Sequence, residues 1–421
     1  MKKDKDIVKY SDVFVPGGFP TYTYNPRDER RLQNKLKSTE NNLCKLMMVT
    51  GPTKSGKTVL VDKVFPREES IWIDGGSVSN EDMFWEQILE ALDEYTETGV
   101  EENESTEVDG GGKVSASIPL IGSATMGGDV KASTGSIYRK RRAVSTKTKA
   151  IQILEEEKIP LIVDDFHYID KQTQKQIVRA LKAPIMRGVP VICIAIPNRK
   201  FDVIEVEREM TGRIDTIEMP TWSDSELQSI ASKGFEALNV EIAPSIIQSL
   251  SEEAFGSPFL IQDFCKEICE AQGIQRRQTL PQVIPDSFDA SHVFTDVAEN
   301  SGRSMFKKIE RGPRQRKDRK ERKLKNGEIV DIYGVVMAGF KDLKPNTETI
   351  PFESLRAHIR NVIDDTLPQH GEISRVLEKI AEISYSDSSS TPVIDWQKED
   401  DLITITDPFF SFFLRWNKDA R

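Results

Sequence analysis

A chain of 421 residues carrying a net charge of −10, with 38% hydrophobic and 30% charged residues, is too long for one ordinary core and reads as a globular protein of roughly two or three domains. No apolar run approaches the ~20 residues that cross a bilayer, and Met1-Lys-Lys-Asp-Lys-Asp has no apolar signal core, so no membrane partner is expected and the protein is placed in the cytoplasm. The acidic total argues against coating nucleic acid with the whole surface, yet residues 303–325 carry twelve Lys/Arg against three Asp/Glu, a local +9 that leaves −19 for the rest.

Residues 1–40 form an N-terminal arm. Its stretch from Val13 to Arg27 mixes aromatics with turn residues, a composition suited to anchoring the arm on a core, and 28–36 has a helical pattern. An apolar strand, Leu46-Met-Met-Val49, then breaks into Gly51-Pro-Thr-Lys-Ser-Gly-Lys-Thr58, with Gly51, Gly56, Lys57 and Thr58 at the spacing of the phosphate-binding P-loop. Small residues let successive backbone N–H groups of Pro52-flanking Gly51, Thr53, Lys54, Ser55 and Gly56 turn inward on an anion. The helix that follows, starting Lys57-Thr58-Val59, aims its positive end at the same place. Lys57 reaches terminal phosphates and the Thr58 hydroxyl ligates Mg²⁺.

Ser70-Ile-Trp-Ile-Asp74 is a short buried strand, and Phe84, Ile88, Leu89 and Leu92 mark a helix, a βαβ rhythm that a parallel sheet requires. An acidic and then Gly/Ser/Ala-rich insertion interrupts it over about 96–146, either a flexible loop or a partner contact. Leu161-Ile-Val-Asp164-Asp165 is a central strand ending in two carboxylates. Asp164 suits Mg²⁺, which prefers oxygen ligands, and Asp165 suits activation of an attacking water. His167 either packs beside Phe166 and Tyr168 or serves the phosphate. The apolar run Val189–Ile196 is another buried strand, and Asn198 at its end is either a γ-phosphate contact or a turn residue. Arg208 and Arg213 precede a further strand, as surface charges or as an arginine reaching a neighbouring subunit's nucleotide. The four cysteines (Cys44, Cys193, Cys265 and Cys269) read as reduced core thiols, since Cys265 and Cys269 alone are two ligands short of a tetrahedral metal site.

From Thr221 the pattern is helical. Ser223 and Glu226 form a capping box, and Gly256-Ser-Pro258 starts a third helix, whose turn lets backbone approach a base. Residues 278–328 read as a connector, irregular to Phe294 and basic after Asp296, the charge run being either a solvated linker or a nucleic-acid phosphate contact. Helical patterns over 329–340, 352–363 and 373–383, then a hairpin about 398–401, follow the order of a winged helix. The chain closes on the aromatic helix Asp407-Pro-Phe-Phe-Ser-Phe-Phe-Leu-Arg-Trp416.

Together the P-loop (Gly51 to Thr58), the strand Leu161–Asp165, Gly256-Ser-Pro258 and the Asp407–Trp416 ending resemble the AAA+/STAND superfamily of P-loop ATPases. The likeness is to its branch with a C-terminal winged helix, which includes archaeal-type and origin-recognition ATPases and bacterial ATPases of mobile-element and defence systems. The resemblance implies an α/β fold with an AAA+-like αβα parallel sheet (41–222), a helical lid (223–277) and a winged helix (329–421). It implies an ATPase using ATP and Mg²⁺, in which Lys57, Thr58, Asp164 and Asp165 take the roles above. Asn198 is then the γ-phosphate sensor, Arg213 the finger acting in trans within a homo-oligomer, and Tyr22, Tyr24 and Pro258 flank the base. Two departures, no lid arginine near Gly256 and Asp165 in place of a glutamate, point to a slow switch. Such a switch acts on DNA through 303–325 and the winged helix, in a transposition, replication or antiviral defence role. Alternatively the winged helix is an autoinhibitory arm or binds a protein effector, or the chain is a nucleotide-binding scaffold that never hydrolyses.

Overall fold

The computed structural model describes residues 7–41, 44–92, 145–196, 212–300, 303–314, 319–343, 349–385 and 393–416. All but the end of the expected insertion lies outside them. The arm carries two short helices, α1 (Tyr10–Val13) and α2 (Leu32–Lys37). Then follow β1 (Leu46–Thr50), α3 (Lys57–Val64), β2 (Ile71–Asp74), α4 (Glu81–Ala91), α5 (Thr146–Glu157), β3 (Leu161–Asp164), α6 (Lys171–Met186), β4 (Val191–Ala195) and β5 (Ile214–Glu218). The five strands pair in parallel in the order β2-β3-β4-β1-β5.

Composition explains that order. β1 and β4 are buried at every position, as strands covered on both faces must be, whereas β2 and β5 at the edges keep polar or part-exposed positions. Alternation along each strand builds two cores. Met48, Ile73, Val163 and Cys193 face α4, α5 and α6, while Met47, Val49, Ile162 and Ile192 face α3 and Leu36 of the arm's α2.

A second unit contains α7 (Asp224–Ala237), β6 (Val240–Ile242), α8 (Pro244–Glu253), α9 (Pro258–Ala271), β7 (Gln282–Ile284) and α10 (Ser291–Asn300). The Ser223/Glu226 capping box forms at the head of α7. Two features differ from the sequence expectation. The parallel pair β6–β7 interrupts the helical reading, because three-residue strands carry too little periodicity to be seen. Helix α10 runs through the expected boundary near 294–296 and buries Val293, Phe294 and Val297 in the lid core.

The third unit starts earlier than expected. It comprises α11 (Arg303–Arg311), β8 (Arg322–Lys323), β9 (Ile329–Val330), α12 (Ile332–Leu343), β10 (Thr349–Pro351), α13 (Phe352–Val362), α14 (His370–Tyr385), β11 (Ile394–Gln397) and β12 (Leu402–Ile405), closed by α15 (Pro408–Trp416). Phe306, Ile309 and Leu324, from within the expected connector, are buried in its core. Dense charge hid the short apolar stripe they form. The strands β10-β12-β11 make an antiparallel sheet beside three helices.

Helix α15 is apolar at every position but Ser411 and Arg415, and Pro408 to Leu414 are buried between units. Phe409 and Phe412 enter the lid core, and Phe410, Phe413 and Leu414 enter the C-terminal core. Cys193, Cys265 and Cys269 are buried as expected, but Cys44 is exposed, because it lies in the turn before β1. Among the described residues no helix is long and apolar enough to cross a membrane.

The arm is fastened to the lid by Phe14, which packs on Phe235 with ring centroids 5.1 Å apart. A Cβ on Gly234 would lie 2.1 Å from Phe14 Cε1. Gly234→Val should therefore cost about 1–3 kcal/mol through overpacking, read as a lowered midpoint in urea or thermal unfolding; an unchanged midpoint would show that Phe14 is not seated there.

Candidate functional site

Parallel strands all end on one edge of the sheet, and the loop after β1, Asp164 at the end of β3, and Asp165 meet there. Gly56 takes the left-handed conformation (φ 89°) that glycine tolerates and turns the loop into α3. Lys57 is buried, and its Nζ donates to the carbonyls of Gly51 (3.0 Å) and Pro52 (2.8 Å). Burial pulls its pKa down to about 8, against the opposing pull of Asp165 and Asp164. Thr58 Oγ1 donates to Asp164 Oδ1 at 3.3 Å, and the Asp165 amide donates to the same oxygen at 2.9 Å.

Asp165 sits in the left-handed region (φ 49°), which aspartate tolerates better than most residues. Burial, then the adjacent Asp164 charge, pushes its pKa up to about 6, with Lys57 pulling the other way. Burial also raises Asp164. Asp165 still has 47% of its side chain open to solvent, so it is a raised but accessible carboxylate. His167 is buried, stacks on Tyr168 at 4.4 Å and has Nδ1 4.0 Å from Asp165 Oδ1.

A cavity of about 300 Å³ opens on this edge. Thr53, Lys54, Gly56, Lys57, Thr58, Val59 and Asp165 line it together with Tyr24 and Pro258. Of the remaining sequence candidates, Gly51 and Pro52 hold Lys57 from behind, and Ser55 gives its carbonyl to Trp222 Nε1 at 2.9 Å. The hydroxyls of Thr53 and Ser55 are buried with no hydrogen-bond partner among the described residues, a feature that suits an oxygen-rich anion. Thr58 and Asp164 supply only hard oxygen donors, as Mg²⁺ requires. Tyr22 is 42% exposed and does not line the cavity.

Arg213 does not join this site. It precedes β5, whose Ile214 pairs with Leu46, so it lies at the opposite end of the sheet, about 20 Å from the loop at 3.3 Å per residue. One of its guanidinium nitrogens, Nη1, is buried without a partner among the described residues. Asn198 and Arg208 lie outside the described residues.

Several contacts around the cavity carry no sequence signal, because the partners are distant in the chain. Arg27, in the left-handed region, bonds both oxygens of Glu226 at 2.9 Å and the carbonyls of Pro220 and Thr221, and its guanidinium lies 4.5 Å over Trp222. This buried cluster joins arm, lid and P-loop. Lys54 Nζ lies 3.2 Å from Asp407 Oδ2 and 3.9 Å from the Phe409 ring centroid, and the Thr53 amide donates to the Thr406 carbonyl at 3.1 Å. The C-terminal unit thus touches the P-loop directly.

No protein-family model matches the sequence, and no curated protein does. Among solved structures the chain is similar to the Walker-type ATPase of Pyrococcus abyssi, at 12% identity over 93% of this chain and 95% of that one, with a TM-score of 0.53. It is also similar to the ORC2 protein of Aeropyrum pernix, solved as ADPNP–ADP complexes (13% identity, 97% and 96% covered, TM-score 0.49). A third is Cdc6p of Pyrobaculum aerophilum (12% identity, 97% and 97% covered, TM-score 0.44). The Pyrococcus likeness carries the conclusion: the chain has the fold of a Walker-type P-loop ATPase, as its motifs imply.

Raised from the usual 3.8 to about 6, Asp165 holds its proton more tightly folded than unfolded. Its contribution to stability is therefore present below about pH 4 and is lost as pH rises through about 6. In thermal melts without nucleotide, Asp165→Asn should reduce the decline of stability between these pH values; parallel curves for the two proteins would contradict the burial of this charge.

Proposed function

We propose that the protein is a Mg²⁺-dependent, ATP-binding and ATP-hydrolysing conformational switch. The observation that carries this reading is the convergence of Lys57, Thr58 and a raised, solvent-accessible Asp165 on one P-loop cavity, with Asp164 bonded to Thr58 behind it. The loop amides and the positive end of α3 neutralise phosphate oxygens, and those oxygens compete with the Gly51 and Pro52 carbonyls for Lys57. Thr58 and Asp164 would hold Mg²⁺, which supplies charge neutralisation at the phosphates. Asp165 accepts a proton from the attacking water as its oxygen bonds to the γ-phosphorus and the bond to the β-phosphate bridging oxygen breaks. Tyr24 and Pro258 are assigned to the base wall, and Asn198 to the γ-phosphate. Arg213, which lies far from the chain's own P-loop, is assigned as a finger acting in trans in a homo-oligomer.

Asp165→Asn should lower kcat for ATP hydrolysis by about 100-fold or more while ATP still binds. Undiminished turnover would remove Asp165 from the chemistry, and absence of turnover in the wild type would leave a binding scaffold.

DNA is the partner we assign, through the exposed cations of 303–325. Part of that segment is structural: Arg319 pairs with Asp331, Arg322 with Glu372 and Lys323 with Asp364. Arg311, Arg314, Lys320 and Lys325 remain exposed for phosphates. DNA affinity measured by anisotropy should fall steeply between low and physiological salt, because bound phosphates release counterions; a flat salt profile would argue for a protein partner instead.

A second reading is favoured by two adjacent contacts. With Thr406 on the Thr53 amide and Asp407 on Lys54, the C-terminal unit acts as an autoinhibitory arm on the P-loop. Asp407→Asn keeps the carbonyl that caps Phe409 N–H but removes the charge facing Lys54. An ion pair of this partial exposure is worth about 0.5–1 kcal/mol, so ATP affinity should rise about two- to fivefold; unchanged affinity and turnover would remove the inhibitory role.

A further inference from the structure

Gln262 lies on α9, just past Pro258, and only 6% of it is exposed. Its Oε1 accepts the Val15 backbone N–H at 2.9 Å and the Thr23 hydroxyl at 3.2 Å. A backbone N–H can only donate, so the oxygen is the atom that faces Val15, and the orientation of the amide is settled by that contact. Its Nε2 is left with two protons and has no hydrogen-bond partner among the described residues. Gln262 lines the cavity and Nε2 is not sealed in the core, so a ligand that fills the cavity and displaces water leaves this donor unpaired unless that ligand accepts from it. Gln262 borders the cavity on the wall built by the arm and the lid, beside Pro20, Thr23, Ile230, Pro258 and Phe259.

We propose that Gln262 is a base-reading residue whose Nε2 donates to a ring nitrogen of adenine. Flat apolar neighbours suit a purine ring. The ring nitrogens of adenine accept only, so a donor fixed in place by Val15 and Thr23 is matched to them. This assignment rests on the nucleotide reading above and adds to it the contact that selects the base. It also gives the arm a purpose: residues 13–23 orient a lid side chain toward the ligand.

Gln262→Glu retains shape and the oxygen used by Val15 and Thr23, and replaces the donor by an acceptor. In calorimetric titrations of the full chain, it should weaken ATP binding about tenfold or more and leave inorganic tripolyphosphate within about twofold. On the wild type, one of 1-deaza-, 3-deaza- and 7-deaza-ATP should bind about tenfold more weakly than ATP, and that analogue should lose nothing further in Gln262→Glu. Unchanged ATP affinity in the variant, an equal loss for tripolyphosphate, or three deaza analogues that bind like ATP overturns the base contact and leaves the phosphate site standing. A wild-type chain that binds neither ATP nor tripolyphosphate overturns the nucleotide reading, and the base contact with it.

Discussion

Parallel pairing of five strands is the constraint on which the rest depends. Because β1 to β5 run in one direction, every strand ends on the same edge, and loops from β1 and β3 are brought together although 106 residues separate Thr58 from Asp164. A parallel sheet must also be covered on both faces. Here α4, α5 and α6 cover one, and α3 with the arm's α2 cover the other. The arm is therefore part of the sheet's cover before it is part of the cavity wall.

Charge is concentrated where that edge meets the cavity. Lys57 is buried and stays compensated by two loop carbonyls and by the nearby carboxylates, so its pKa is lowered only to about 8. The two aspartates differ in surroundings. Asp164 receives hydrogen bonds from Thr58 and from the Asp165 amide, both of which favour its charged form, whereas burial and the Asp164 charge beside it favour the neutral form of Asp165. Neighbouring carboxylates with unlike surroundings thus differ in what favours the charged form of each.

Helix α15 packs between units through an i, i+3 pattern. Phe409 and Phe412 pack into the lid, with Phe412 on Phe264, while Phe410 and Phe413 pack on Phe340 and Phe306. Asp407 just before it and Phe409 in its first turn reach Lys54 of the P-loop, and its last residues, Arg415 and Trp416, bond Glu253 of the lid. One rigid helix thus touches loop, lid and C-terminal core, which is the connectivity a ligand-driven rearrangement of units would use.

The local patterns of the chain determined a good deal. The apolar runs of β1, β3 and β4, the Gly51–Thr58 spacing, the Ser223/Glu226 capping box and the aromatic-rich α15 are set by neighbours in sequence, so periodicity and turn chemistry reveal them. Short strands such as β6 and β7, and the apolar stripe of Phe306 and Ile309 inside a basic run, are below that signal. What only the tertiary structure decided are contacts between residues far apart in the chain: Arg27 with Glu226, Lys54 with Asp407, and Gln262 with Val15 and Thr23. Each is an interaction of polar groups whose residue types are common on any surface. Only burial together turns them into parts of one cavity, and burial is a property of the packed chain.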